Sequence, residues 1–146
     1  MNNGFMDLAY EEAKKAFLMN EVPVGAIIVL DGKIIAKKHN TTIKSNCVCD
    51  HAEILAITEA SHKLKNWRLN NCEMYITLEP CPMCAGAILQ SRIKTIYIGA
   101  ESNIKSNKKI LKSILQNNEY YHEVEIVYTK DDKCSEILSQ FFANKR

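Results

Sequence analysis

The chain has no apolar run approaching eighteen residues, so no membrane-spanning helix is expected. It has no internal repeat, no linker and no low-complexity stretch. At 146 residues it reads as one domain covering 1–146. Its opening, Met1-Asn2-Asn3-Gly4-Phe5, lacks the basic-then-apolar layout of a secretory signal. There is no large excess of either charge: the net +2 neither requires nor excludes a nucleic-acid partner. The six cysteines do not imply a disulfide framework, because a chain of this size buries about 68–70% of its unfolded surface without staples. A cytoplasmic setting is expected. Nor is there a second Cys-x-x-Cys or a closely spaced His pair, the usual companion in closed structural metal sites.

What is present is one set of reactive side chains. His51-Ala52-Glu53 stands upstream of Pro80-Cys81-Pro82-Met83-Cys84. A zinc ion that performs chemistry takes three protein ligands and leaves a fourth position for water. One imidazole and two thiolates, from His51, Cys81 and Cys84, supply those three. Such an ion lowers the pKa of water from about 15.7 to roughly 7, and Glu53 remains as the acid/base. Cys81 and Cys84 are three apart and share one face of a helical turn. Prolines are tolerated at or just before a first turn, so that helix starts near Cys81. A helix start carries partial positive charge, which favours thiolate. His51 and Glu53 would diverge in mid-helix and converge only where a helix begins at His51. Two helix N-termini must therefore meet. A closed structural site recruiting Cys47 or Cys49 is the alternative, and it leaves Glu53 without a role.

The rest of the chain reads as alternating elements. Phe5, Leu8, Ala9, Ala13, Ala16 and Phe17 follow helical spacing over 5–19, with Glu11, Glu12, Lys14 and Lys15 toward water. Pro23 ends that helix. The apolar run 24–30 fits a strand covered on both faces. Asp31-Gly32 is a hairpin signal returning into a second strand to Lys38. Residues 41–50 read as a polar loop, and a helix runs from His51 to about Ser61. Lys63, Lys65 and Arg68 around Trp67 suit either a nucleic-acid contact or a solvated connection with one anchored tryptophan. Met74 to Leu78 is a strand that delivers Cys81 at its carboxyl end, where open α/β sheets place their sites. The helix over about 82–91 carries Ala85, Gly86 and Ala87, which would allow close packing on the His51 helix. A parallel strand over 94–98 stops at Gly99. A short helix follows within 101–118, then a strand over 123–128 and a last helix from Asp131. Its acidic start and its Lys145-Arg146 end suit the helix dipole. The fold class is α/β: a three-layer α/β/α arrangement with a five-stranded mixed sheet.

The order His-x-Glu followed by Pro-Cys-x-x-Cys is the signature of zinc deaminases. From about residue 5 to 146 the chain resembles the cytidine-deaminase-like superfamily. Within it, it is most similar to the bacterial tRNA-specific adenosine deaminases. Residues 21–26, His39-Asn40, His51 to Ile54, Thr77 to Ala87, Ser91-Arg92-Ile93, Gly99-Ala100 and Phe141-Phe142 carry the resemblance. It implies hydrolytic deamination of adenosine to inosine at the wobble position of a tRNA anticodon, with one Zn2+ per subunit. It also implies a homodimer whose two subunits contact the tRNA anticodon arm, with Asn40 binding the flipped base and Leu78 shaping its pocket. Two stretches depart from the family. Cys47-Val48-Cys49-Asp50 replaces a Pro-Thr-Ala run, and Glu101 to Ser106 replaces a Gly-rich loop that lies near the RNA. A deaminase of a free base or nucleotide, of guanine or cytosine type, is an alternative. A noncatalytic zinc-stabilised RNA-binding module is another, against which the retained Glu53 argues.

Overall fold

The computed structural model describes residues 4–145. Met1 to Asn3, and the Arg146 of the helix-dipole reading, lie outside them. The elements are α1 (Phe5–Leu18), β1 (Gly25–Leu30), β2 (Lys33–His39), α2 (Thr42–Ser45), α3 (Ala52–Leu64), β3 (Glu73–Leu78), α4 (Pro82–Gln90), β4 (Thr95–Ala100), α5 (Asn107–Leu115), β5 (Glu125–Tyr128) and α6 (Asp132–Ala143). One five-stranded sheet has the order β2-β1-β3-β4-β5. β1 is antiparallel to both neighbours, and β3, β4 and β5 are parallel. This is the mixed α/β/α sheet expected of the cytidine-deaminase-like fold. Among the described residues, no helix is long and apolar enough to cross a membrane.

β1 is buried on both faces, as its unbroken apolar run requires. Ala26 and Ile28 pack with Ala52, Ala56, Ile88 and Leu111 of α3, α4 and α5. Ile27 and Val29 face the other way, onto Phe5, Met6 and Ala9 of α1. The Asp31-Gly32 turn has both residues at positive φ, 51° and 78°, the geometry that matches strand twist in a two-residue hairpin. A register shift between Ile28 and Val29 bulges β2, so the hairpin is not evenly paired.

Four local expectations are corrected. β4 does not stop at Gly99; it runs on to Ala100. Gly99 is there because a Cβ would lie 2.7 Å from Cys134 Sγ, so α6 packs flat on the strand. The stretch 41–50 contains a helical turn, α2, because the buried Glu21 carboxylate accepts the Ile43 and Lys44 N–H groups at 3.1 and 2.8 Å. Gly86 is not a close-packing position: a Cβ there would meet nothing within 4 Å, and it is Ala85 that is fully buried. Finally, Leu8 is partly exposed while Met6 and Glu12 are buried, so the inner face of α1 is rotated from the expected stripe.

The rotation follows from Gly25. Any side chain there would overlap Ala9 O at 2.0 Å and Glu12 Cβ at 2.8 Å, so α1 lies directly on the start of β1. Glu12 is trapped in that contact and needs partners. It finds Lys15 Nζ at 2.7 Å and His39 Nδ1 at 3.0 Å. Burial pulls the Glu12 carboxyl up, but the hydrogen bonds and charges of Lys15 and His39 outweigh it and leave it below its ordinary 4.5. A carboxyl held low contributes stability above its unfolded value, and that contribution is lost as pH falls through the folded value. Glu12→Gln is therefore expected to destabilise by about 1 kcal/mol near neutral pH. The gap from wild type should close as pH falls below the ordinary 4.5 and through the lowered folded value. Denaturant midpoints measured across that range check it; a gap independent of pH would remove the ion pair from the account.

Candidate active site

Two helix starts converge at the carboxyl end of β3. His51 is the N-cap of α3, with extended backbone at φ −77° and ψ 153°. Cys81 is the N-cap of α4, at φ −74° and ψ 170°, and Pro82 occupies the first turn. Cap residues have non-helical backbone, which lets each side chain project past the end of its helix. His51 Nδ1 lies 3.7 Å from Cys81 Sγ and 3.4 Å from Cys84 Sγ. The three donor atoms all fall within 4.8 Å of one another. Tetrahedral zinc with Zn–S near 2.3 Å and Zn–N near 2.05 Å sets its N and S ligands about 3.6 Å apart. The set fits such an ion in spacing and in donor chemistry. Cys47 and Cys49 are not part of this cluster.

Glu53 sits in the first turn of α3 and is 4% exposed. Burial pushes its carboxyl up to about 7, where it can exchange a proton at neutral pH. It is also hydrogen-bonded to Cys84. The two sulfurs share a proton unequally. The hydrogen bond from Cys84 holds Cys81 down to about 4, while the same contact, with burial, pushes Cys84 far up. The contact with Cys81 raises His51. Metal binding must therefore displace a proton from Cys84.

Asn40 is buried at the end of β2, and its Oδ1 accepts the Ala52 N–H at 2.8 Å. It thus satisfies one of the orphan donors at the start of α3. That contact also fixes the amide: the oxygen is committed, and the Nδ2 group is left to donate. Leu78 lies at the last position of β3 and lines a cavity of about 510 Å³ with Glu101, Ser102, Asn103, Ile104 and Phe142. Of the six residues singled out in the sequence, only Leu78 borders that cavity; His51, Glu53, Cys81 and Cys84 cluster beside β3's end.

Sequence reasoning missed Glu79. It is 4% exposed and accepts hydrogen bonds from Ser102, Asn107 and Tyr128. The available signal was a charged residue between a buried strand and Pro80-Cys81. The basic cluster after α3 proves open: Trp67 is 53% exposed, with the Arg68 and Arg92 guanidinium groups 4.5 and 5.7 Å from its ring.

The chain matches the MafB19-like deaminase family over residues 2–146. It is 41% identical over 143 residues to the tRNA-specific adenosine deaminase of Bacillus subtilis, covering 97% of this chain and 89% of that one. It is 42% identical over 142 residues to that of Aquifex aeolicus, covering 97% and 94%. A solved structure from a study of A-to-I editing by tRNA:A34 deaminases superposes with a TM-score of 0.82 at 37% identity, over 92% of this chain and 98% of that one. The guanine deaminase of Bacillus subtilis superposes with a TM-score of 0.67 at 31% identity, over 99% and 94%. Matched along nearly its whole length in sequence and in fold, the chain belongs to the tRNA-specific adenosine deaminase family.

Proposed function

We propose that the chain, acting as one domain over 1–146, hydrolytically deaminates adenosine to inosine at the wobble position of a tRNA anticodon. The observation that carries this reading is the convergence of His51, Cys81 and Cys84 beside the buried Glu53. His51 Nδ1 and the Cys81 and Cys84 sulfurs are the ligands for one Zn2+. A zinc ion held there supplies Lewis-acid activation of water at neutral pH.

The chain's own groups do the rest. Glu53 takes a proton from the attacking water and delivers it to N1 of the adenine ring as C6 becomes tetrahedral. It then takes the proton of the new C6 hydroxyl and hands it to the departing amino group, which leaves as ammonia while the C6 carbonyl of inosine forms. A carboxyl raised toward neutrality by burial suits both directions of transfer. Asn40 Nδ2 donates to an acceptor on the base, its oxygen being engaged by Ala52. Leu78 walls the base pocket. An adenosine in a loop need only unstack to reach it, so no duplex has to open.

Deamination of free guanine is the second reading, supported by the likeness to a guanine deaminase. A cytoplasmic location and a homodimer complete the proposal. Gly86 supports the dimer: it weakens α4 yet relieves no contact within the chain, and the neighbouring Met83 is exposed.

Inosine should form in an anticodon stem-loop bearing adenosine at the wobble position, while free adenosine, guanine and cytidine run in parallel stay unchanged. Turnover of guanine alone would retain the zinc chemistry and discard the RNA substrate. Glu53→Ala is expected to keep zinc and lose at least about 10²-fold in kcat, whereas Cys84→Ser should lose the metal itself. Zinc content and single-turnover rates separate the two, and full zinc occupancy in Cys84→Ser would undo the ligand assignment. Sedimentation should give a species of two chains; a monomer that still deaminates the stem-loop would reject the dimer.

A further inference from the structure

Glu79 lies between the cleft residue Leu78 and the Pro80-Cys81 turn, and nothing described so far uses it. Its Oε1 accepts from Asn107 Nδ2 at 2.9 Å and from the Ser102 N–H at 3.3 Å. Its Oε2 accepts from the Tyr128 hydroxyl at 2.5 Å. The same Asn107 amide also donates to Pro80 O at 3.2 Å. One buried carboxylate thus gathers donors from three places: the segment after β4, the start of α5 and the end of β5. No cation is among them. The nearby Lys108 ammonium lies over the Tyr128 ring at 4.5 Å and pairs with Glu101 at 2.7 Å.

These contacts bear on one wall of the cleft. Glu101, Ser102, Asn103 and Ile104 line the 510 Å³ cavity opposite Phe142. That wall has little core of its own: Glu101, Asn103 and Ile104 are exposed, Ile104 by 65%. A segment without buried apolar contacts opens at low cost unless it is tied elsewhere. Its ties are the Ser102 N–H to Glu79, the Asn107 N–H to Ile104 O at 3.0 Å and the exposed Lys108–Glu101 pair. A carboxylate withdrawn from water needs all of its donors, so the three act together rather than singly.

We propose that Glu79 is a positioning residue that fixes the 101–104 wall of the substrate cleft, with Asn107 and Tyr128 as its anchors. It holds the wall in the place where RNA would lie, and it does so without touching His51, Glu53 or Cys84. The inference rests on the reading of an RNA substrate given above. Loss of an anchor weakens the wall's contacts with substrate in the ground-state and transition-state complexes alike, so the expected signature is a higher KM with kcat preserved.

The test uses the zinc-loaded full chain and the anticodon stem-loop. Tyr128→Phe removes one hydroxyl without changing shape, and Asn107→Ala removes the amide. KM should rise about tenfold in each, the size of one charge-assisted hydrogen bond. kcat and zinc content should be unchanged. Trypsin cleavage after Lys105 should be faster in both variants, a readout that needs no substrate. A role confined to folding would instead lower the thermal midpoint and leave KM and cleavage rate alone, and that result overturns the proposal. So does a loss of zinc with a fall in kcat, which would make Glu79 a support of the Cys81 turn. A wild-type enzyme inert on the stem-loop would overturn the RNA reading, and the trypsin comparison would still decide whether Glu79 fixes the wall.

Discussion

Two helix starts aimed at one point are the constraint on which the rest of this structure depends. The N-termini of α3 and α4 both carry partial positive charge, so bringing them together is unfavourable unless something negative lies between them. The Cys81 thiolate supplies it, with the Cys84 sulfur and the Glu53 carboxyl beside it. His51 comes thirty and more positions before the two cysteines, yet all three donor atoms lie within 4.8 Å of one another. Only the sheet can enforce that. β1 sits between β2 and β3 and so fixes the distance between the strand that leads to His51 and the strand that leads to Cys81. The isoleucines that bury both faces of β1 therefore act on the site at a distance, by keeping those two strand ends in place.

The same convergence explains the electrostatics. Glu53 is held in a nearly dry position and is pushed up to about 7, while Cys81 drops to about 4. Adjacent groups driven in opposite directions suit the proton transfers proposed above. A closed knot would consume every nearby donor. Here Cys47 and Cys49 stay outside the cluster, and Glu53 is buried beside Cys84.

Much of this was legible in the residues. His51, Glu53, Cys81 and Cys84 announce themselves through spacing and the flanking prolines, and the unbroken run of β1 correctly requires cover on both faces. What escaped was governed by contacts distant in sequence. Glu12 looks like a surface residue on its own helix; only the bare Gly25 backbone, which draws α1 down onto β1, makes it internal. Gly99 looks like a strand stop because the sulfur of Cys134 that needs the space is thirty-five positions away. The α2 turn depends on Glu21, some twenty residues upstream, and no local propensity encodes it. Glu79 was hidden for the same reason: its donors lie at 102 and 107, in a stretch that reads as polar, and at 128, in a strand read for its apolar face.

Asn40 carries two duties on a single planar group. Its oxygen closes the first turn of α3, and its nitrogen faces away from that helix. Rotating the amide to present an acceptor in place of a donor would put two N–H groups face to face and unseat the residue that follows His51. For an amide, the hydrogen-bonding sense offered at this edge is thus tied to the start of α3, whose cap is His51. The isosteric Asn40→Asp is the one exchange that would present an acceptor there and still leave an oxygen for the Ala52 N–H, and its cost is a charge placed in a buried position.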